Sequence, residues 1–194
     1  MSKKYIPCRL CNYPTKTFLD LGRVPLPEEF RQKRDLLLPV VTYLLRLSYC
    51  TRCYHVQLRD IPNMNTIYKK NYCYDFSLTQ TGRHHWQNLA HDTVTQYHLT
   101  NRSLVVDVGS NTGALLEAFR SYSVNILGID PSPKVVKIAK LHSIPTVVGY
   151  FQPALARRIV RTHGLADCVT STNVFDHVES LSAFTDALTI LLHP

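Results

Sequence analysis

The sequence predicts an α/β chain: a small, metal-stapled, β-rich N-terminal unit, then a doubly wound parallel sheet that is incomplete at its C-terminal end. Three observations predict it. Two C-x2-C pairs, Cys8 with Cys11 and Cys50 with Cys53, stand in the first third of the chain. An apolar run, Leu104 to Val108, breaks into the turn Gly109-Ser110-Asn111-Thr112-Gly113 and resumes as helix formers from Ala114 to Phe119. Beyond it, short apolar runs alternate with helical stretches. That is the pattern of a sheet covered by helices on both faces.

The cysteines come first in chain order. Each C-x2-C knuckle places two sulfurs on one side of a metal, and four thiolates satisfy tetrahedral zinc. The 38 residues between Cys11 and Cys50 exceed the usual ribbon spacing, so the chain makes a long excursion and returns. Buried free thiols or redox C-x-x-C pairs are the alternatives. A four-sulfur zinc site is closed and serves folding rather than catalysis. Between the knuckles, Phe18 to Pro27 reads as extended and turn-like because of its prolines. Val40 to Ser48 is rich in β-formers, and Tyr54 to Leu58 continues out of the second knuckle. A β unit ending near Asp60 fits this stretch.

Asn71 to Ser77 follows. Tyr72 and Tyr74 point the same way if the segment is extended. Their hydroxyls suit hydrogen bonding to a sugar or proton movement, or they are a pair of half-buried aromatics. Gly82 to Tyr97 reads as a helix with Trp86, Leu89, Ala90 and Val94 at helical spacing. His84, His91 and His98 recur every seven residues, and a solvated or half-buried helix face explains them better than a metal stripe.

Leu104 to Val108 is apolar apart from Asp107 and reads as a buried strand. The five-residue turn has glycine at both ends, which lets a ligand approach the backbone. Val124 to Ile129 is a second strand ending in Asp130, about 20 residues past the turn, the usual distance for a carboxylate that binds ribose hydroxyls. Pro131 to Leu141 reads as a helix with proline at its start. Pro145 to Val148 is a third strand, Pro153 to Arg161 a helix, Ala166 to Ser171 a fourth strand and Leu181 to Leu192 a last helix. Ligands of such a Rossmann-like sheet sit at the C-terminal ends of its strands. Asp107, Asp130 and Asn173 lie on that rim.

Composition narrows the function classes. The chain has 194 residues, 45% hydrophobic and 19% charged. This is globular composition, with room for one or two small domains, divided here as 1–68 and 69–194. No apolar run is long enough to cross a membrane. The start, MSKKYIPCRLC, lacks the apolar core of a signal peptide, so a cytoplasmic, reducing compartment is expected. The 22 Lys and Arg give a net charge of +8 but are scattered. That argues against a nucleic-acid face and would suit a nucleotide-linked substrate.

The glycines are wrong for G-x-G-x-x-G dinucleotide binding. An acid ending the first strand and a G-x-x-x-G turn resemble instead the cofactor loop of S-adenosylmethionine-dependent methyltransferases. The alternative is a tight β-α turn in another α/β protein. Over nearly its whole length the chain resembles the zinc-containing C-methyltransferases that act on nucleotide-linked deoxy-keto-sugars. The resemblance rests on CRLC and CTRC with DLGRVPL between them, on YCYDFS, DVGSNTGALL and GIDPSP, and on ADCVTSTNVFDHVESLSAF. The last block, with its Asn-Val-Phe-x-His-Val pattern, is the most specific.

The resemblance implies two cofactors, S-adenosylmethionine and a structural Zn2+ on Cys8, Cys11, Cys50 and Cys53. It implies that Gly109, Ser110, Asn111 and Gly113 line the methionine and ribose end, that Asp130 holds the ribose, and that Asn173 lies along the amino-acid part. Asp107 joins this set from the rim. His177 and one of Tyr72 or Tyr74 would face the sugar. The implied reaction removes a proton beside a sugar ketone, and the enolate carbon attacks the sulfonium methyl. Three departures stand out. Thr112 replaces an acidic residue, Pro27 and Glu28 replace a small residue and an amide, and the family continues past Pro194 for roughly as long again. The implied general base lies in that continuation, so the sequence reads as a fragment. The rival readings are a zinc-stapled binding module and an inactive remnant that at most binds the cofactor.

Overall fold

The computed structural model describes residues 6–27, 31–68 and 75–194, with only the backbone of Phe76. It forms two compact units, Met1–Tyr72 and Cys73–Pro194.

The first unit holds strands β1 (Thr15–Pro25), β2 (Thr42–Cys50) and β3 (Val56–Leu58), in an antiparallel sheet of order β1-β2-β3. β1 pairs with β2 from Thr15 opposite Cys50 to Pro25 opposite Thr42. Most of the stretch expected to be extended and turn-like, up to Pro25, is therefore part of an 11-residue strand. Its irregularities appear as register shifts between Thr17 and Leu19 and between Asp20 and Arg23. At the second shift Gly22 adopts a φ of 75° and its N–H donates to Asp20 Oδ1 at 2.8 Å, an Asx turn built into the strand. A short helix, α1 (Met64–Tyr68), follows. Arg46 clasps Asp60 with two bonds, from Nε at 2.7 Å and Nη2 at 2.8 Å, where the β unit was expected to end.

The second unit opens with a 3-10 turn, Phe76–Leu78, and helix α2 (Gln80–Gln96). α2 starts at Gln80 because Thr79 caps it, its hydroxyl accepting from Gly82 N. His84, His85, His91 and His98 are exposed, in keeping with a solvated face. Then strands and helices alternate: β4 (Leu104–Val108), α3 (Ala114–Arg120), β5 (Asn125–Asp130), α4 (Pro133–Leu141), β6 (Thr146–Val148), α5 (Pro153–His163), β7 (Cys168–Thr170) and α6 (Leu181–Leu191). α4 begins two residues later than the sequence suggested. Ser132 is the N-cap and Pro133 takes the first helical position. Both prolines suit a helix start, and the side-chain demands of Asp130 on Ser132 select the second.

The four strands are parallel, in the order β6-β5-β4-β7. β4 has neighbours on both sides and is buried along its length. Its residues alternate between two cores. Leu104, Val106 and Val108 pack with Phe151, Ile159, Phe184 and Leu191 toward α5 and α6. Val105 packs with Ala90, Leu116, Phe119 and Ile144 on the face of α2, α3 and α4. The winding direction reverses between β4 and β7, and the crevice at such a reversal is where ligands of this architecture bind. The residues after β4, β5 and β7 therefore frame the site. Among the described residues no helix is long and apolar enough to cross a membrane.

Candidate functional site

The two cysteine knuckles fold alike. Cys8 N donates to Tyr13 O at 2.8 Å, and Cys50 N donates to His55 O at 2.9 Å. Asn12 N returns to Cys8 O at 2.9 Å, and Tyr54 N to Cys50 O at 3.0 Å. Asn12 and Tyr54 share a left-handed φ, 58° and 60°. These matched turns aim four sulfurs at one point. Sγ of Cys8 lies 3.6 Å from that of Cys53, and Sγ of Cys11 lies 3.5 Å from those of Cys50 and Cys53. All four lie within 4.8 Å of one another. A tetrahedron with Zn–S bonds of about 2.3 Å has sulfurs about 3.8 Å apart, so the donor set fits zinc. Burial pushes the Cys50 thiol up, but N–H bonds from Cys53 and Arg52 outweigh it and bring it down to about 6, whereas Cys53, against a backbone bond with His55, is pushed up to about 12 by burial and the neighbouring sulfurs. The thiolate is the form a metal needs.

The second site is the rim of the parallel sheet. The glycine turn is clasped to the end of β5: Gly109 N and Ser110 N both donate to Ile129 O, at 2.7 and 3.1 Å. Gly109 has a φ of 75°, and a Cβ there would overlap Val174. Gly113 has a φ of 87°, and a Cβ would lie 2.8 Å from Ile144. Each glycine is thus required twice, by its dihedral and by a close neighbour. Val174 also brings the segment after β7 against the turn. Asn173 in that segment is exposed and left-handed, with a φ of 55°.

Asp130 ends β5 and is nearly buried, at 5% exposure. Its Oδ2 accepts from Asn111 N at 3.0 Å and its Oδ1 from Ser132 N at 2.8 Å. Its main-chain oxygen accepts from Gly149 N at 3.0 Å. Burial raises its pKa against the pull of those two amides. A carboxylate offers about four acceptor positions, so each oxygen keeps one for a further donor. A vicinal diol supplies two such donors. The hydroxyl of Ser171, at the end of β7, is buried without a partner among the described residues, another vacancy that a polar ligand would satisfy. The rim therefore fits the adenosyl cofactor.

The other expected site residues are placed less directly. The Ser110 hydroxyl turns inward, against Gly128, and is buried without a partner among the described residues. Asp107 lies beneath the rim, where its Oδ1 accepts from Thr170 Oγ1 at 2.7 Å. Burial pushes its pKa up to about 7, Thr170 opposes this and the Asp130 charge adds to it. His177 ends a 3-10 turn, Phe175–His177, exposed, with Nε2 3.5 Å from Asp176 Oδ2. Tyr72 and Tyr74 lie outside the described residues. Sequence reasoning missed Thr170, Ser171 and Asp75. The first two are polar residues closing an apolar strand, a signal visible in CVTST. Asp75 carried no local signal.

Asp107 has a pH signature. Its folded pKa, about 7, exceeds the ordinary 3.8. Between those values the folded chain holds a proton that the unfolded chain has released. Stability is therefore fully present below about pH 4, falls as pH rises to about 7 and is flat beyond. A gap of about three pH units corresponds to about 4 kcal/mol. Asp107→Asn is expected to flatten this slope and raise the melting temperature of the second unit at about pH 8. Parallel melting curves for variant and wild type across that range would count against it.

Comparison with known proteins finds a family model for each unit. Residues 8–68 match the family model described as "Putative zinc binding domain", and residues 106–194 match the one described as "Methyltransferase domain". The first match lies within the unit that carries the cysteines and the second within the unit that carries the parallel sheet. Its cofactors are S-adenosylmethionine and zinc. The whole chain is similar to C-methyltransferase NovU of Streptomyces niveus, 28% identical over 96% of this chain and 44% of that protein. Part of the chain is also similar to a ubiquinone biosynthesis O-methyltransferase of Cupriavidus pinatubonensis, 33% identical over 46% of this chain and 37% of that one. The chain thus spans less than half the length of these curated relatives. Among solved structures, the magnesium protoporphyrin IX methyltransferase of Synechocystis with bound SAH is 20% identical, covers 63% of this chain and 58% of that one, and has a TM-score of 0.46.

Proposed function

We propose that the protein transfers a methyl group from S-adenosylmethionine to a ring carbon of a nucleotide-linked keto-deoxysugar, through an enolate. Residues 1–68 form the zinc-binding domain and residues 69–194 the methyltransferase domain. The observation that carries the cofactor half of this reading is Asp130. It is held by two backbone amides at the C-terminal end of β5, beside the glycine turn, with an acceptor position left on each oxygen. The substrate half rests on the resemblance of the cysteine, YCYDFS and NVFDHV blocks to the sugar C-methyltransferases, together with the similarity to a C-methyltransferase over 96% of the chain.

When bound, the cofactor supplies an electrophilic methyl group. A general base would take the proton from the carbon beside the sugar ketone, and that carbon would accept the methyl group in its place. In this reading Asp130 anchors the ribose, while Gly109, Asn111 and Gly113 shape the turn beside the methionine part. Ser110 holds the turn against β5, and Asn173 lies along the amino-acid end. His177 and one of Tyr72 or Tyr74 face the sugar. An N–H or O–H there would stabilise charge developing on the ketone oxygen. Asp176, beside His177, would orient its ring.

The test incubates the zinc-loaded chain with methyl-labelled S-adenosylmethionine and a panel of nucleotide-linked keto-deoxysugars. The expected product carries the label on a ring carbon, located by NMR. A label on oxygen, nitrogen or protein would overturn the carbon assignment. Cofactor binding without any labelled sugar would remove the substrate class.

A further inference from the structure

We propose that Asp75 binds the ammonium group at the methionine end of S-adenosylmethionine, with Thr112 as the residue that positions it. This rests on the cofactor reading above and adds a residue to that site. Asp75 sits just before the 3-10 turn Phe76–Leu78, yet it reaches the glycine turn 37 residues away. Its Oδ2 accepts from Thr112 Oγ1 at 3.1 Å. Its Oδ1 accepts from Ser77 N at 2.9 Å and Ser77 Oγ at 2.6 Å. Both oxygens are therefore fixed in direction. Three of about four acceptor positions are filled, and the open one is on Oδ2, the oxygen beside the turn.

Charge supplies the second strand of the argument. The methionine end of the cofactor carries an ammonium and a carboxylate, and the sulfonium adds a further positive charge. A carboxylate near the turn would give the ammonium a charge-assisted partner. Among the described residues, three carboxylates are bonded to the turn or lie directly beneath it. Asp107 is sealed at 2% exposure, committed to Thr170 and takes up a proton near neutral pH. Asp130 is held by Asn111 N and Ser132 N and is assigned to the ribose. Asp75 is half-buried rather than sealed, so it can reach a ligand. Thr112 is 9% exposed, and its hydroxyl proton goes to Asp75. The turn itself carries no acid, and the chain supplies one from the segment ahead of α2.

The experiment compares two ligands by calorimetry. S-adenosylhomocysteine keeps the ammonium, and methylthioadenosine lacks the whole amino-acid part. Asp75→Asn is expected to weaken S-adenosylhomocysteine on the order of tenfold, the size of one charge-assisted hydrogen bond. It should leave methylthioadenosine within about twofold. Thr112→Val is expected to weaken the first ligand by about threefold and spare the second, because it removes orientation rather than charge. It carries the same comparison should Asp75→Asn fail to fold. Equal weakening of both ligands would mean that Asp75 only shapes the turn, and the proposal falls. Unchanged binding of S-adenosylhomocysteine overturns it as well. A wild-type chain that melts cooperatively and binds neither ligand overturns the cofactor reading itself, an outcome distinct from the other two.

Discussion

Cys50→Ser is expected to release zinc and unfold the three-stranded sheet of the first unit, while the parallel sheet of the second stays folded. The reason lies in what that unit buries. Among its described residues the only buried hydrophobic ones are Cys8 and Cys50, both fully inaccessible. β1 is exposed along most of its length, and Phe18, Leu21, Val41 and Val56 face outward. A sheet with so little apolar burial cannot offset the entropy of ordering its backbone. A structural zinc site contributes about 10–16 kcal/mol of binding energy that becomes folding energy. The ligand pairs also join the sheet's ends, since Cys50 closes β2 opposite Thr15 and Cys11 lies four residues before it. Replacing one sulfur by oxygen leaves three ligands and a weaker, harder donor. Zinc content and amide hydrogen exchange check this. Amides of β1 and β2 should lose protection, and those of β4 and β5 should keep it. Stoichiometric zinc with full protection of β2 would contradict the assignment, and a strong chelator added to the wild type should reproduce the variant.

How much of this was legible in the sequence depends on the range of the interaction. The strand-turn-helix at 104–120 was readable because its determinants are local: an apolar run, two glycines and good helix formers. β4 and α3 occupy almost the expected residues. The four sulfurs were readable because C-x2-C spacing is itself a geometry. β1 was legible only as extended and turn-like, because Pro25, Pro27 and Gly22 are turn signals that an edge strand tolerates at its end or at a register shift. Ser110 was expected to line the methionine and ribose end; its hydroxyl meets Gly128 on the next strand, a contact that no local signal announces. Asp75 was invisible for the opposite reason: its partner Thr112 is 37 residues away, and nothing in YCYDFS announces that contact. The pairing shows only once the 3-10 turn before α2 has folded beside the glycine turn.

Asp130→Ala is expected to weaken S-adenosylmethionine binding by about a hundredfold or more. A ribose diol would donate two hydrogen bonds to an ionised carboxylate, each on the order of 1.5–3 kcal/mol. The alanine also removes the acceptor for Asn111 N and Ser132 N, so the turn and the start of α4 lose their tie. Asp130→Asn separates the two effects. It keeps the size of the side chain but offers one carbonyl oxygen, so it can accept from only part of the set that Asp130 serves. It also removes a charge that burial disfavours, the origin of the raised Asp130 pKa. Binding and stability should therefore part company: the asparagine variant loses affinity by at least tenfold while its melting temperature falls little or rises. Calorimetry with S-adenosylmethionine and with adenine alone completes the test. Adenine makes no ribose contacts, so its weak binding should be equal in wild type and Asp130→Asn. A parallel loss of adenine binding would place Asp130 in the architecture of the whole rim rather than at the ribose. Undiminished S-adenosylmethionine binding by both variants would remove Asp130 from the cofactor site, and with it the observation on which the proposed function chiefly rests.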